Sequence, residues 1–321
     1  MQSYLRTKPA WMQLLIFSGL TLGLFLISSL VGTTIVARIN HMDMMQIATM
    51  GPAELGRPEM SGVIKGLLIV QFFGLFLLPP LIFAYLADPR PLVFAGLQAP
   101  QKKSFLLLGM LIMTAAYFTV EFLGILNEAL VHFLPKTTQD WINRGESDAN
   151  SMLQSVVSVR NPVDLLKTII MVGALPAIGE ELFFRGILQR LFIQIFKSAW
   201  PGIIFTGFLF SAFHMQFMGL LPRMALGIIL GSLYWYSGSL YTSILGHFTY
   251  NTINIFLMYF KMEDMDSKPS SVMVFSVVGL ISMALVVFLL KGLRKKSTTR
   301  YAAVFPASYD NSLIDPTDHP V

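Results

Sequence analysis

Eight stretches of this chain, roughly 11–37, 62–87, 104–131, 163–195, 199–216, 218–237, 239–260 and 271–291, each stay apolar for about the 20 residues that a bilayer core asks of a helix. Lipid offers no partner to a bare backbone amide. A segment that lives there must satisfy its N–H and C=O groups internally, as a helix does, or join a closed barrel. These runs are long and lack the alternation of barrel strands, so they predict an all-α, polytopic transmembrane bundle of about eight helices. Composition agrees, with 54% of the 321 residues hydrophobic and 13% charged, against roughly 25% charged in soluble domains. Outside the spans no polar stretch is long enough for a second core. The first span follows Arg6 and Lys8 as a signal peptide would, but its apolar run is too long and no A-x-A-like cleavage site follows, so it reads as a retained helix.

The spans divide the chain into four parts. Residues 1–162 give three N-terminal spans and a polar loop, and 163–260 form a helical core in which the unusual residues concentrate. Residues 261–294 carry the last span, and 295–321, with its prolines and no sustained period, reads as a disordered tail. The segment at 38–61, holding Met42, Met44, Met45 and Met50, suits a membrane surface. The segment at 132–162 suits an aqueous loop that could cover a substrate entrance. An even number of spans puts both termini on one side. The basic run Lys291, Arg294, Lys295, Lys296 and Arg300 places that side in the cytoplasm, and the same rule accounts for the net charge of +5 without any nucleic-acid partner. Membrane lipids are the expected surroundings. Cysteine is absent, which excludes disulfides, thiol catalysis and thiolate metal sites.

A charged side chain at the centre of a spanning helix costs about 2.5–3.5 kcal/mol on insertion scales, so each needs a partner or a task. The fourth span carries Glu180, Glu181 and Arg185, downstream of a predicted kink at Pro176. Glu181 and Arg185 are four apart, on one face and in the favourable order for an ion pair. Glu180 lies about 100° around the helix and can point elsewhere. The fifth span ends in FSAFHMQ, with Phe210 and His214 four apart; the seventh contains GHFTYNTIN, with His247 and Asn251 at the same spacing. If these three helices converge, a carboxylate, two imidazoles, an amide and a guanidinium meet in one place, which is a complete set for hydrolysis. Taken singly, a membrane-buried His or Asn is as readily interhelical glue. Adjacent glutamates that repel each other are harder to explain structurally, because Arg185 can compensate only one. Glu121 and Glu128, without a His or Asn on their helix, read as structural or path-lining residues. Arg223 reads as a snorkelling side chain, and Tyr234, Trp235 and Tyr236 as an interfacial belt.

The three elements EELFFR, FSAFH and HFTYN, in this order on polar-bearing spans, resemble the CPBP (CAAX protease and bacteriocin-processing) family, which comprises the type II CAAX prenyl endopeptidases and the bacterial Abi proteins. The resemblance covers about residues 163–260 and implies an intramembrane endopeptidase acting on a peptide or protein substrate, which can itself be membrane-anchored. It implies that Glu180 and His214 activate the attacking water, that Glu181 and Arg185 support the site, and that His247 and Asn251 stabilise the oxyanion. Those roles answer what hydrolysis requires: a base for water, and donors for the charge that develops on the carbonyl oxygen.

Metal dependence divides the readings. Members of the family are commonly labelled metalloproteases, and Glu180, His214 and His247 would supply the His₂Glu set of a catalytic zinc or another divalent ion. The chain lacks H-E-x-x-H, whose spacing would have decided for zinc, and a metal-free glutamate mechanism is slightly preferred. Two other classes use the same residues: a proton-coupled transporter with a carboxylate and imidazole relay, and a non-catalytic immunity or scaffold protein. A Ser232 and His247 dyad is the remaining protease alternative. It would leave Glu180 and Arg185 without a task.

Overall fold

The computed structural model describes residues 5–157, 161–260 and 269–298. The tail after Arg300, together with Arg160, Lys261 and Lys268, lies outside the described residues. Every long element is a helix, and no strand occurs among the described residues. In chain order they are α1 (Ala10–Ile39), α2 (Pro58–Ala87), α3 (Ser104–His132), α4 (Lys136–Val157), α5 (Pro162–Phe196), α6 (Ala199–Ala212), α7 (Leu220–Ser237), α8 (Leu240–Tyr259) and α9 (Pro269–Lys296).

Among the described residues six helices are long and apolar enough to cross a membrane, and these match six of the eight spans read from the sequence to within a few residues. The other two differ for physical reasons. Helix α6 is apolar but has only 14 residues, because the chain turns after Ala212 and leaves His214 in the turn rather than on the helix. Helix α8 has 20 residues, but His247, Asn251 and Asn254 dilute its apolar character. Leu15, Leu22, Leu26 and Leu30 on α1 and Ile281, Leu285 and Phe288 on α9 are exposed, as side chains facing lipid are. The chain is an integral membrane protein.

The bundle is organised around α3 and the α5–α8 segment. Helix α3 packs against α9, α8 and α7; α6 and α7 form a tight pair; α8 lies against the middle of α5; and α1 packs along α2. The α6–α7 pair is close because a Cβ on Gly227 would stand 2.7 Å from Gly207 Cα, the small-residue contact that membrane helices use in place of a hydrophobic driving force.

Two prolines shape the helices that flank the site. Pro176 has no amide hydrogen for the carbonyl four residues back, and the turns before it, Ile169–Ala174, are wound as a π-helix. In α2 the segment Phe72–Leu77 is wound the same way ahead of Pro79 and Pro80. A third π segment, Leu182–Gln189, has no proline to account for it. The kink expected at Pro176 is thus a local widening inside one continuous helix.

Several sequence expectations are corrected. The segment at 132–162 is mostly helix: Ile142, Ser155 and Val156 are buried while Asp140, Asn143 and Arg144 face out, so α4 is an amphipathic helix rather than a loop. Tyr234, Trp235 and Tyr236 are no interfacial belt, being 1%, 8% and 7% exposed in the core. Gly96, at φ 79°, lets its strand of backbone run against the Tyr234 ring, where any Cβ would collide. Arg223 does not snorkel; its guanidinium grips Gln216 at 2.6 Å. Glu128 stands 3.9 Å from His132 at the exposed end of α3, apart from the polar cluster.

Candidate active site

The middle of α5 turns its two glutamates in different directions, as the 3.6-residue period requires. Glu181 is fully buried and its Oε1 lies 2.6 Å from Arg185 Nη1, also fully buried. Arg185 spends a second donor on the Gly227 carbonyl of α7 at 3.1 Å, and its guanidinium sits 4.5 Å from the centre of the Phe210 ring. That ring is a shared floor: its centre is 5.2 Å from the His214 imidazole and 5.8 Å from the His247 imidazole. The phenylalanine of F-x-x-x-H therefore packs against the guanidinium and both histidines.

Glu181 Oε1 also meets His247 Nδ1 at 3.0 Å. A carboxylate held by an arginine can only accept, so Nδ1 carries the hydrogen and Nε2 is the imidazole atom left to act. Nε2 lies 4.0 Å from Glu180 Oε2. Glu181, Arg185 and His247 form one connected unit, while Glu180 is excluded from it and keeps 14% of its side chain exposed.

Glu180 and His214 line a common cavity of about 270 Å³, walled by Leu68, Phe72 and Phe76 of α2, by Met171 and Pro176 of α5, and by Phe213, with Gln71 as a further polar group. His214 Nδ1 is 2.8 Å from the carbonyl of Phe210. A carbonyl only accepts, so the proton of a neutral His214 sits on Nδ1 and the lone pair on Nε2. Asn251 Nδ2 lies 3.5 and 3.4 Å from the carbonyls of Val172 and Gly173. These are long hydrogen bonds, made where Pro176 has left the α5 backbone short of a donor.

The structure thus brings five of the predicted residues together, Glu180, Glu181, Arg185, His214 and His247, with the last three against Phe210, and sets Asn251 one helical turn along α8. Ser232 is excluded from the cluster, since its hydroxyl donates to Ile228 of its own helix at 2.8 Å. Glu180, His214 and His247 do not fit a metal centre as arranged: among the described residues no three His, Asp or Glu side chains stand close enough together to hold an ion.

A family model described as "Type II CAAX prenyl endopeptidase Rce1-like" matches residues 162–253. Over this segment the chain is similar to the CAAX protease family. The match spans α5 through most of α8, including the turn that holds His214, and so takes in every residue of the cluster. No curated protein and no solved structure matches the chain.

Sequence reasoning missed the α2 wall of the cavity, which carries no motif. It also missed Gly179, whose missing side chain lets α2 approach: a Cβ there would stand 2.8 Å from Phe76 Cβ and 3.0 Å from the Phe72 ring. Gly179→Ala is expected to push α2 away from the cavity, lowering stability by about 1–3 kcal/mol, the usual effect of overpacking. A thermal melt of the purified protein in detergent checks this, and a melt matching wild type would show that α2 yields freely.

Proposed function

We propose that this chain hydrolyses a peptide bond within the bilayer by water activated at Glu180 and His214, without a metal ion. The observation that supports it most is the division of the two adjacent glutamates, one committed to Arg185 and His247 inside the protein, the other lining a cavity with His214.

The steps follow from the atoms available. A water molecule between Glu180 and His214 gives a proton to one of them, and its oxygen attacks the scissile carbonyl carbon. The negative charge moves to the carbonyl oxygen, where the loosely held Asn251 amide supplies a donor, and His247 supplies a second from Nε2 in its imidazolium form while Nδ1–H stays on Glu181. Glu181 holds His247 in place through Nδ1, and Arg185 holds Glu181. The carbon–nitrogen bond then breaks as the abstracted proton passes to the leaving amine, so the proton taken at the start is returned. The cavity wall of Phe72, Phe76, Leu68 and Met171 suits an apolar stretch of substrate. The basic end of α9 favours a cytoplasmic side for both termini by the positive-inside rule.

His214→Ala is expected to leave uncleaved precursors in cell membranes that wild type removes, detectable by membrane proteomics as accumulated longer forms. Identical precursor profiles would overturn the assignment of His214. Adding a chelator to the wild-type protein separates the metal-free route from a metal one: retained cleavage supports the former, and loss that zinc restores supports the latter.

A further inference from the structure

The turn that presents His214 is strained and heavily tied. Met215, directly after it, has φ 54°, the left-handed region that non-glycine residues adopt only when their surroundings over-determine them. Three side chains from three helices supply that constraint. Asn127, buried on α3, donates to the carbonyls of Phe217 and Met218 at 2.8 and 2.9 Å and accepts from the Leu221 amide at 3.1 Å. Glu146 on α4 accepts from the Met218 amide at 3.0 Å and from Gln216 Nε2 at 3.2 Å. Arg223 on α7 donates to the Gln216 side-chain oxygen at 2.6 Å and to its backbone carbonyl at 3.2 Å. The Gln216 amide is therefore read in one orientation only, its oxygen toward Arg223 and its nitrogen toward Glu146. Gly219 leaves the space: a Cβ there would collide with the Arg223 guanidinium.

We propose that Glu146 and Arg223, acting through Gln216, are positioning residues that fix the His214 turn and so aim the imidazole into the cavity. Both bonds each of them makes involve an ionised group, which makes them shorter and stronger than neutral ones. Each grips the turn twice, so losing either leaves the Gln216 amide held at one end only. The 2.8 Å contact between His214 Nδ1 and the Phe210 carbonyl depends on the chain direction that this grip sets. Glu146 stands on α4, outside the apolar spans, and Trp141 of the same helix packs on Phe217 with ring centres 5.2 Å apart. The geometry of an intramembrane base is thus tied to the docking of an amphipathic helix. The catalytic part of this inference rests on the peptidase reading; the clamp does not.

The test compares full-length wild type, Glu146→Ala, Arg223→Ala and the conservative Arg223→Lys in detergent, by amide hydrogen exchange and by cleavage of a reporter peptide. In both alanine variants exchange in residues 213–221 is expected to rise roughly tenfold or more while exchange in the spans stays unchanged. Their kcat should fall by about 10- to 100-fold with KM near wild type, as expected when a catalytic group is misplaced rather than lost. Arg223→Lys, which can keep one of the two bonds, should recover part of both. Unchanged exchange at 213–221 in Glu146→Ala and Arg223→Ala would overturn the clamp, and accelerated exchange with wild-type kcat would overturn its role in positioning His214. If Glu180→Gln protein cleaves like wild type, the peptidase reading fails instead, and the exchange result still decides the clamp.

Discussion

Purified Glu180→Gln protein is expected to cleave a reporter peptide about 10³-fold more slowly than wild type, a loss within the range that general-base catalysis contributes. The substitution keeps the shape of the side chain and removes only its capacity to take a proton. Glu180 is outside the buried Glu181–Arg185 ion pair, with His247 Nε2 4.0 Å from its Oε2, so folding has little to lose. The melt should stay within about 0.5 kcal/mol of wild type, as for other substitutions that break no buried network. KM should change little, because the role assigned to Glu180 begins when water is attacked. The matched control is Glu181→Gln, which removes the charge that faces Arg185 and is expected to lower both stability and kcat. If Glu180→Gln retains wild-type cleavage, the two carboxylates have been assigned the wrong way round or the chain is no peptidase. Solute uptake into proteoliposomes that disappears in the same variant would then favour a transporter.

The core of the site was legible because charges in apolar spans are costly and helical spacing is rigid. The i to i+4 relation of Glu181 and Arg185 predicts the ion pair, and the structure has it at 2.6 Å. The independence of Glu180 follows from the same geometry. What spacing along single helices does not report is how helices face one another. Nothing local announces that Glu181 rather than Glu180 meets His247, or that Asn251 lies against backbone carbonyls that Pro176 left short of a donor. Residues that act by being small or apolar were equally silent: Gly179 and the Phe72 and Phe76 wall have no motif, and their effect exists only where α2 meets α5. Arg223 was misread for a related reason. A lone arginine near a helix start looks like a snorkelling side chain until its partner, Gln216 in a turn that the sequence had read as the end of a span, is seen. Six of the eight expected membrane-spanning segments were read to within a few residues, since the requirement that every backbone group be satisfied leaves lipid-embedded segments almost no other choice.

Arg185→Leu is expected to be strongly destabilising, by about 3–5 kcal/mol, because it strands a carboxylate in the interior. Glu181 has no exposed surface, and its remaining partner would be His247 Nδ1 at 3.0 Å. The Gly227 carbonyl on α7 would lose its donor as well. Removing Glu181 in addition should undo most of that loss: the double change Glu181→Leu with Arg185→Leu deletes both charges, and a buried ion pair replaced by apolar side chains is often neutral or better. Stability and catalysis should then part company. The double variant melts near wild type, yet His247 has lost the acceptor that fixes Nδ1, so its imidazole is free to turn and cleavage should remain down by about 10- to 100-fold, the scale set by loss of a partner that orients a functional histidine. Melts and kcat measured on the same three proteins decide between two roles for the pair. If the double variant recovers both, Glu181 and Arg185 serve folding alone; if it recovers stability only, the pair is there to hold the histidine.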